Sequence, residues 1–299
     1  MIFAVGLAAG TINTVVGSGT LITFPTLLAF GYPAVLANVS NNVGLVPGVA
    51  SGVHGYRAEL TGQRRRIIRL GSASVCGGLV GAILLLVLPA GAFKDIVPAL
   101  IGIAVAMVLA QPWLARWMAA RQVARAAARG GDVGRRPGQS GQPGGPGGPG
   151  GPGEPGPSAG GGAGTTTAVS VLPVTGVAQR SEAIGGPVLW VLVFATGVYG
   201  GYFGAAQGVL LIGMLGIALG DTLQRVNAVK NVLAGLVNGV AAVVFIALAH
   251  VDWSVAGLIA AGSILGGQLG ARIGRRLPAW GLRLLIVCVG AVALVKLLA

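Results

Sequence analysis

The feature that most constrains this chain is an internal repeat. A shift of 189 residues, which takes Gly19 to Gly208 (208 − 19 = 189), lays the beginning of the chain on its end without a gap. Identical residues meet along the whole alignment: Gly31 with Gly220, Asn38 with Asn227, Asn42 with Asn231, Ser74 with Ser263, and Pro89 with Pro278. The basic clusters do not follow the match, because Arg64, Arg65 and Arg66 fall opposite uncharged residues. Two similar apolar halves with exchanged charged loops are typical of inverted-topology repeats in membrane proteins.

The composition predicts a membrane protein. Only 9% of the residues are charged and 54% are hydrophobic, whereas soluble domains carry about 25% charged residues. Apolar stretches such as 67–89 and 226–249 approach the roughly 20 residues that cross a bilayer. We therefore expect an all-α, polytopic membrane protein with about five helical segments in each half. The predicted segments are 1–17, 18–31, 33–57, 67–89 and 95–118, then 187–206, 207–220, 222–249, 254–275 and 279–298.

The first pair of segments in each half is predicted to be a broken or re-entrant unit. The second segment of each half is too short to cross a membrane fully, and a glycine-rich break precedes it, at 17–19 and at 200–208. Such backbone is tolerated within a membrane only where protein or a water-filled cavity surrounds it.

Three regions follow from this pattern. Residues 1–119 form a first transmembrane repeat, and residues 187–299 form a second. Between them, residues 120–186 contain consecutive Gly-Gly-Pro triplets, which predict a disordered linker.

The basic residues predict an orientation. If the linker and the loops at 57–69, 221–230 and 272–283 are cytoplasmic, all of the 20 basic residues except Lys94 and Lys296 lie inside. Both chain ends would then lie outside the cell membrane, and the halves would be antiparallel. The net charge of +13 is therefore read as a topology signal and as contacts to anionic lipid. Nucleic-acid binding is rejected, because no aromatic residues are interleaved with the basic ones.

The glycine-rich breaks are the first candidate for a binding site. Interrupted helices expose N-terminal N–H groups, which carry partial positive charge and attract anions. The candidate residues are Gly17, Ser18, Gly19 and Thr20 in the first half, and Gln207 and Gly208 in the second. The alternative is that these small residues only allow helices to pack closely.

Buried amides and one lysine are the second candidate. Residues four apart share a helix face, so amides at matched positions of the two halves could line a pocket for a small oxyanion with one cation. The candidate residues are Asn38, Asn41 and Asn42 in the first half, and Asn227, Lys230 and Asn231 in the second. The alternative for the amides is interhelical hydrogen bonding, and for the lysine it is snorkelling to the interface.

No catalytic constellation is visible in the sequence. Two histidines, two cysteines and seven acidic residues are scattered, without metal-ligand spacing or a phosphate-binding loop. We therefore expect no enzyme activity, no cofactor and no bound metal. The expected partners are a small anion and the lipid bilayer, with a coupling proton or cation as an open addition.

Two runs carry a resemblance to a known family. They are GTINTVVGSGTLITFP at 10–25, with Asn38, Asn41 and Asn42 after it, and GVYGGYFGAAQG at 197–208, with Asn227, Lys230 and Asn231 after it. In these runs the chain resembles the sulfite exporter TauE/SafE family, also grouped as toluene-sulfonate uptake permeases. The resemblance implies a permease for small anions such as sulfite, thiosulfate or organosulfonates. At Ala205, Ala206 and Gln207 the second run departs from a glycine-richer version, which would alter a pocket there.

Three functions remain as hypotheses at this point. The first is a secondary transporter that moves a small anion by alternating access of its two halves. The second is a passive anion channel lined by the same breaks. The third is a membrane scaffold or accessory subunit without transport of its own.

Overall fold

The computed structural model describes residues 1–133, 186–219, 221–273 and Cys288. These residues form helices and their connections, with no strand among them. In chain order the helices are α1 (Ile2–Val15), α2 (Thr20–Ala29), α3 (Ala34–Gly55), α4 (Arg64–Val87), α5 (Ala90–Val133), α6 (Pro187–Tyr202), α7 (Gln207–Leu219), α8 (Leu223–Leu248) and α9 (Trp253–Ile273). A short 3-10 turn, Arg57–Leu60, precedes α4. The prediction of an all-helical chain is confirmed.

Four helical stretches are long and apolar enough to cross a membrane: Arg64–Val87, Gly91–Ala110, Leu223–Leu248 and Trp253–Arg272. Large apolar side chains such as Leu79, Val80 and Val243 are exposed on the outer faces of α4 and α8, which is the pattern expected of helices that face lipid. The prediction of a membrane protein is confirmed.

The remaining apolar helices are shorter and come in two consecutive pairs, α1 with α2 and α6 with α7. At 1.5 Å per residue, α2 and α7 reach only about 15 and 20 Å, less than the roughly 30 Å of a hydrocarbon core. Neither α2 nor α7 is therefore long enough to cross a membrane by itself.

The helices of the two sequence halves interlock. Helix α1 packs against α9, and α6 packs against α4. Helix α3 contacts α9, α8 contacts α4, and α3 contacts α8. Glycines permit this proximity: a Cβ on Gly6 of α1 would lie 2.9 Å from the Ile259 Cα of α9.

Helix α5 is longer than predicted. The expected end was 118, but the helix continues to Val133 and includes residues 120–133 of the region predicted as a disordered linker. Alanine and arginine dominate this extension, and both are strong helix formers. Residues 134–185 of the predicted linker and the predicted last segment at 279–298, apart from Cys288, lie outside the described residues.

The core surrounds one of the helix breaks. Phe24 of α2 meets Phe93 of α5 edge to face, with ring centroids 6.4 Å apart, and meets Phe203 between α6 and α7 at 5.2 Å. Edge-to-face pairs of this kind stabilise beyond their buried area. The aromatic cluster therefore holds α2 against the break of the other sequence half.

Candidate functional site

The two helix breaks share an unusual backbone conformation. Gly17, between α1 and α2, has a φ of 87°, and Ala206, between α6 and α7, has a φ of 58°. These residues are 189 positions apart, so they are equivalent in the repeat. Left-handed backbone ends a right-handed helix, and it is unfavourable for a residue with a side chain such as Ala206. Gly204 also has a positive φ, of 77°. Its N–H returns to the Tyr199 carbonyl oxygen just as the Gly17 N–H returns to that of Ile12, so α1 and α6 each end at a glycine, and Ala206 adds a second left-handed residue before α7.

The two breaks touch each other. The Gly208 N–H donates a hydrogen bond to the Gly17 carbonyl oxygen at 3.1 Å. A Cβ on either glycine would overlap the backbone of the other. The interrupted helices of the two halves therefore meet at one buried position, where only glycine on both sides allows the contact.

Unpartnered polar groups lie at this meeting point. Ser18 and Gln207 are equivalent in the repeat, and each directly precedes the glycine aligned between the halves. Both are buried, and neither the Ser18 Oγ nor the Gln207 Nε2 has a hydrogen-bond partner among the described residues. A buried donor without a partner costs about 1–3 kcal/mol, which water or a bound acceptor would recover. Two matched helix starts thus each present a free donor.

The amides of α3 and α8 reach across to the other half. Asn38 of α3 donates through Nδ2 to the Tyr202 carbonyl oxygen at the end of α6, at 3.0 Å. Its equivalent, Asn227 of α8, donates to the Thr14 carbonyl oxygen at the end of α1, at 3.2 Å. Asn231 reaches the same Thr14 oxygen at 3.4 Å. In each direction an amide satisfies carbonyls that the helix break leaves exposed.

Two further amides of α3 leave their oxygens without partners. Asn41 donates to the Thr20 Oγ1 at the start of α2, at 3.4 Å. Asn42 lies one turn beyond Asn38 on α3. The Oδ1 atoms of Asn41, Asn42 and Asn227 are buried and have no partner among the described residues. These amides therefore retain hydrogen-bonding capacity beyond the interhelical bonds.

Lys230 is completely buried, with a relative exposure of 0%. Its Nζ donates to the Asn13 carbonyl oxygen at 3.1 Å and to the Thr14 carbonyl oxygen at 3.3 Å. Its aliphatic chain passes Gly208, because a Cβ there would lie 3.0 Å from the Lys230 Cδ. It has no acidic partner within the part of the chain that the structure describes. A buried cation without a carboxylate gives the surrounding region a positive potential.

The predicted residues are therefore largely gathered in one region. The breaks at Gly17–Thr20 and Gln207–Gly208 are in contact, and Asn41 and Lys230, which are equivalent in the repeat, reach the breaks from α3 and α8. The carbonyls of Asn13 and Thr14 could not be predicted, since backbone acceptors leave no signal in residue type. The same holds for the hydrogen bond from the Tyr199 hydroxyl to the Ala205 carbonyl oxygen, which links the end of α6 to the break.

A second polar cluster joins the halves at the loop before α4. Arg66 donates to the Asp221 Oδ2 at 2.7 Å, and the Arg225 Nε lies 3.3 Å from the Asp221 Oδ1. Arg225 also donates to the Thr61 carbonyl oxygen at 3.3 Å, and Gln63 donates to the Arg225 carbonyl oxygen at 3.4 Å. We call these five residues the loop network. No group of three or more potential metal ligands occurs within the described ranges.

Comparison with known proteins adds one finding. The family model described as Sulfite exporter TauE/SafE matches residues 2–297. None of the curated proteins and none of the solved structures compared with the chain gave a significant match.

Proposed function

Because this chain belongs to the sulfite exporter TauE/SafE family of membrane transporters, we propose that it is a secondary transporter for small anions. The proposed substrates are sulfite, thiosulfate or organosulfonates, bound where the two helix breaks meet. The observation that carries the proposal is the matched pair of buried donors, Ser18 Oγ and Gln207 Nε2, at the starts of α2 and α7. An oxyanion supplies the acceptors that both groups lack.

The electrostatics of the region favour an anion. Helices α2 and α7 point their N-termini, which carry partial positive charge, at the same contact. The Lys230 side chain passes Gly208, and its ammonium adds positive charge at the end of α1. Since the described residues offer Lys230 no carboxylate, an anionic substrate would be the neutralising partner of this region.

Alternating access is proposed as the mechanism, with two halves in inverted topology. The repeat shift of 189 residues carries α1, α2, α3 and α4 onto α6, α7, α8 and α9. In this correspondence α1 matches α6, and α9 matches α4. The contact of α1 with α9 therefore has its counterpart in the contact of α6 with α4. Pairwise exchange of this kind supports two antiparallel halves that rock around a fixed site. With the loops rich in arginine placed inside, both chain ends are proposed to lie outside.

The proposal is tested by anion counterflow into proteoliposomes. Proteoliposomes that contain the purified protein are loaded with unlabelled sulfite, thiosulfate or a sulfonate. Uptake of the labelled substrate from outside is then measured. Saturable counterflow is expected for a carrier, whereas conductance without exchange would identify a channel. Absence of flux for every anion would reject the proposal.

Two variants then locate the site. Ser18→Ala and Gln207→Leu each remove one free donor, and each is expected to raise the half-saturating anion concentration about tenfold, because a hydrogen bond to a charged group contributes about 1.5–3 kcal/mol. Ser254→Ala is the matched control, since Ser254 is exposed at the start of α9. Unchanged affinity in both site variants would place the substrate elsewhere.

A further inference from the structure

The end of α1 is built like a cation site. After Val15 the chain leaves the helix, and the Gly17 N–H turns back to the Ile12 carbonyl oxygen at 3.1 Å. This turn leaves the carbonyls of Asn13 and Thr14 without the N–H donors of a continuing helix. In transporters with interrupted helices, carbonyls at half-helix C-terminal ends are the groups that coordinate Na⁺.

In this chain a side chain occupies that position. The Lys230 Nζ donates to both carbonyls, at 3.1 and 3.3 Å, and the Asn227 and Asn231 amides converge on the Thr14 oxygen. The negative end of the α1 dipole thus faces one ammonium and two amides. The charge is covalently attached, fully buried and held by backbone oxygens.

The other half has no lysine at the position equivalent to Lys230. The equivalent of Lys230 is Asn41, a neutral amide that donates to the Thr20 Oγ1. At the end of α6 the Tyr202 carbonyl is taken by Asn38. Within the described ranges, the two ends therefore differ by one fixed positive charge, which lies at the end of α1.

We infer that the Lys230 ammonium is a built-in replacement for a coupling metal cation at the end of α1. The transporter accordingly moves its anion without binding Na⁺ or another metal ion there. The statement about anion movement rests on the proposed function. Binding of a cation at the end of α1 can be measured without any substrate.

The first experiment uses the unmodified protein. Sulfite counterflow is measured in proteoliposomes with Na⁺, with K⁺, and with N-methyl-D-glucamine as the sole cation. Equal rates within about twofold are expected. A rate that falls tenfold or more without Na⁺ would overturn the inference.

The second experiment is chemical rescue. Lys230→Ala removes the ammonium and leaves the carbonyls of Asn13 and Thr14 facing a space of the right size for a small amine. Flux is expected to fall about tenfold or more, by the loss of two charge-assisted hydrogen bonds. Methylammonium is expected to restore it several-fold, and tetramethylammonium, which has no N–H, is not. An unchanged flux, or a loss that methylammonium does not reverse, would count against the inference.

The third measurement separates this inference from the proposed function. Thermal unfolding of Lys230→Ala in detergent is followed with and without methylammonium or Na⁺. A rise in Tm with either cation is expected in the variant and not in the unmodified protein, because only the variant has a vacant site. If the unmodified protein carries no anion, the proposed function fails while this measurement still reports on the cation site. An unchanged Tm of the variant with both cations would refute the inference.

Asn41→Ala is the matched control for the two rescue measurements. It truncates the equivalent side chain of the other half, where no fixed charge is lost, so methylammonium should change neither its flux nor its Tm. If Lys230→Ala cannot be purified alone, the same variant is prepared with methylammonium present throughout. Failure of the amine to increase the yield of folded protein would then contradict the inference.

Discussion

Arg66 and Asp221 form an ion pair at 2.7 Å that ties the first turn of α4 to the segment just before α8. The two residues belong to different halves of the repeat, and both side chains are mostly shielded from solvent. In the other half, the loop before α9 is joined to α3 by a hydrogen bond from the Asp252 N–H to the Ser40 Oγ at 3.0 Å. The loops before α4 and α9 are therefore joined to the other half by contacts of unequal strength.

We expect Asp221→Asn to loosen the loop network. Both Arg66 and Arg225 lose their charged partner, and for a partly shielded pair this costs on the order of 1 kcal/mol. Labelling of a single cysteine at Val226, which is buried beside Arg225, in a background without Cys76 and Cys288, should therefore speed up about fivefold.

Asp252→Asn provides the control for this measurement. The Asp252 Oδ1 accepts from the N–H groups of Ser254 and Val255, so it caps α9, and it bridges to no arginine among the described residues. Its substitution should lower Tm slightly and leave labelling at Val226 unchanged. Equal labelling in Asp221→Asn and the parent protein would show that the loop network does not hold this end closed.

Gly208→Ala should prevent the two breaks from meeting. The added Cβ would overlap the Gly17 backbone. Backbone atoms cannot move aside as the end of a flexible side chain can. We expect a loss of stability of several kcal/mol, in the range of severe packing defects, measured as a large drop in Tm.

Gly239→Ala serves as the comparison in this case. Gly239 lies within α8, and a Cβ there would meet nothing within 4 Å. Alanine is favoured over glycine within a helix by about 0.5–1 kcal/mol, so Tm should rise or stay constant. A Gly208→Ala protein as stable as Gly239→Ala would contradict the close contact of the breaks.

Ala206→Gly is expected to stabilise the protein. Ala206 has a φ of 58°, a conformation that disfavours a residue with a Cβ by about 1–2 kcal/mol. Glycine relieves this, although the greater freedom of the unfolded chain offsets part of the gain. We expect a net increase in Tm, measured by thermal unfolding in detergent.

The neighbouring substitution Ala205→Gly should act in the opposite direction. Ala205 is fully buried in the core and is not among the residues with positive φ, so it loses a packed methyl group without relief of strain. If both substitutions lower Tm equally, the left-handed backbone at Ala206 is not strained.

Asn38→Ala should destabilise the protein more than Asn227→Ala. The Tyr202 carbonyl oxygen receives the Asn38 amide as its side-chain donor in the described part of the chain. The Thr14 oxygen receives Lys230 and Asn231 in addition to Asn227. Interhelical hydrogen bonds in membranes contribute about 0.6 kcal/mol on average, and the loss should be near or above this value for Asn38. The reverse order in Tm would show that the amides on α8 do not substitute for one another.

Much of the architecture could be read from the sequence. The 189-residue repeat, the low charge and the glycine-rich breaks predicted a helical membrane protein, and helices α1 to α4 and α6 to α9 begin and end within a few residues of the predicted bounds. Periodic apolar character and glycine punctuation are local properties, so they are legible without a tertiary structure. The end of α5 was misplaced because a run of alanine and arginine favours a helix beyond the apolar segment.

By itself, the sequence determined which residues are small, polar or charged at matched positions, and thereby the membrane class, the family resemblance and the candidate residues. The tertiary structure decided their partners: that Gly17 meets Gly208, that Ser18 and Gln207 are left with free donors, and that Lys230 lies on the carbonyls of Asn13 and Thr14. Partner choice depends on backbone groups, which are alike in every residue type. Only the folding of one half against the other brings a helix end within reach of a particular side chain.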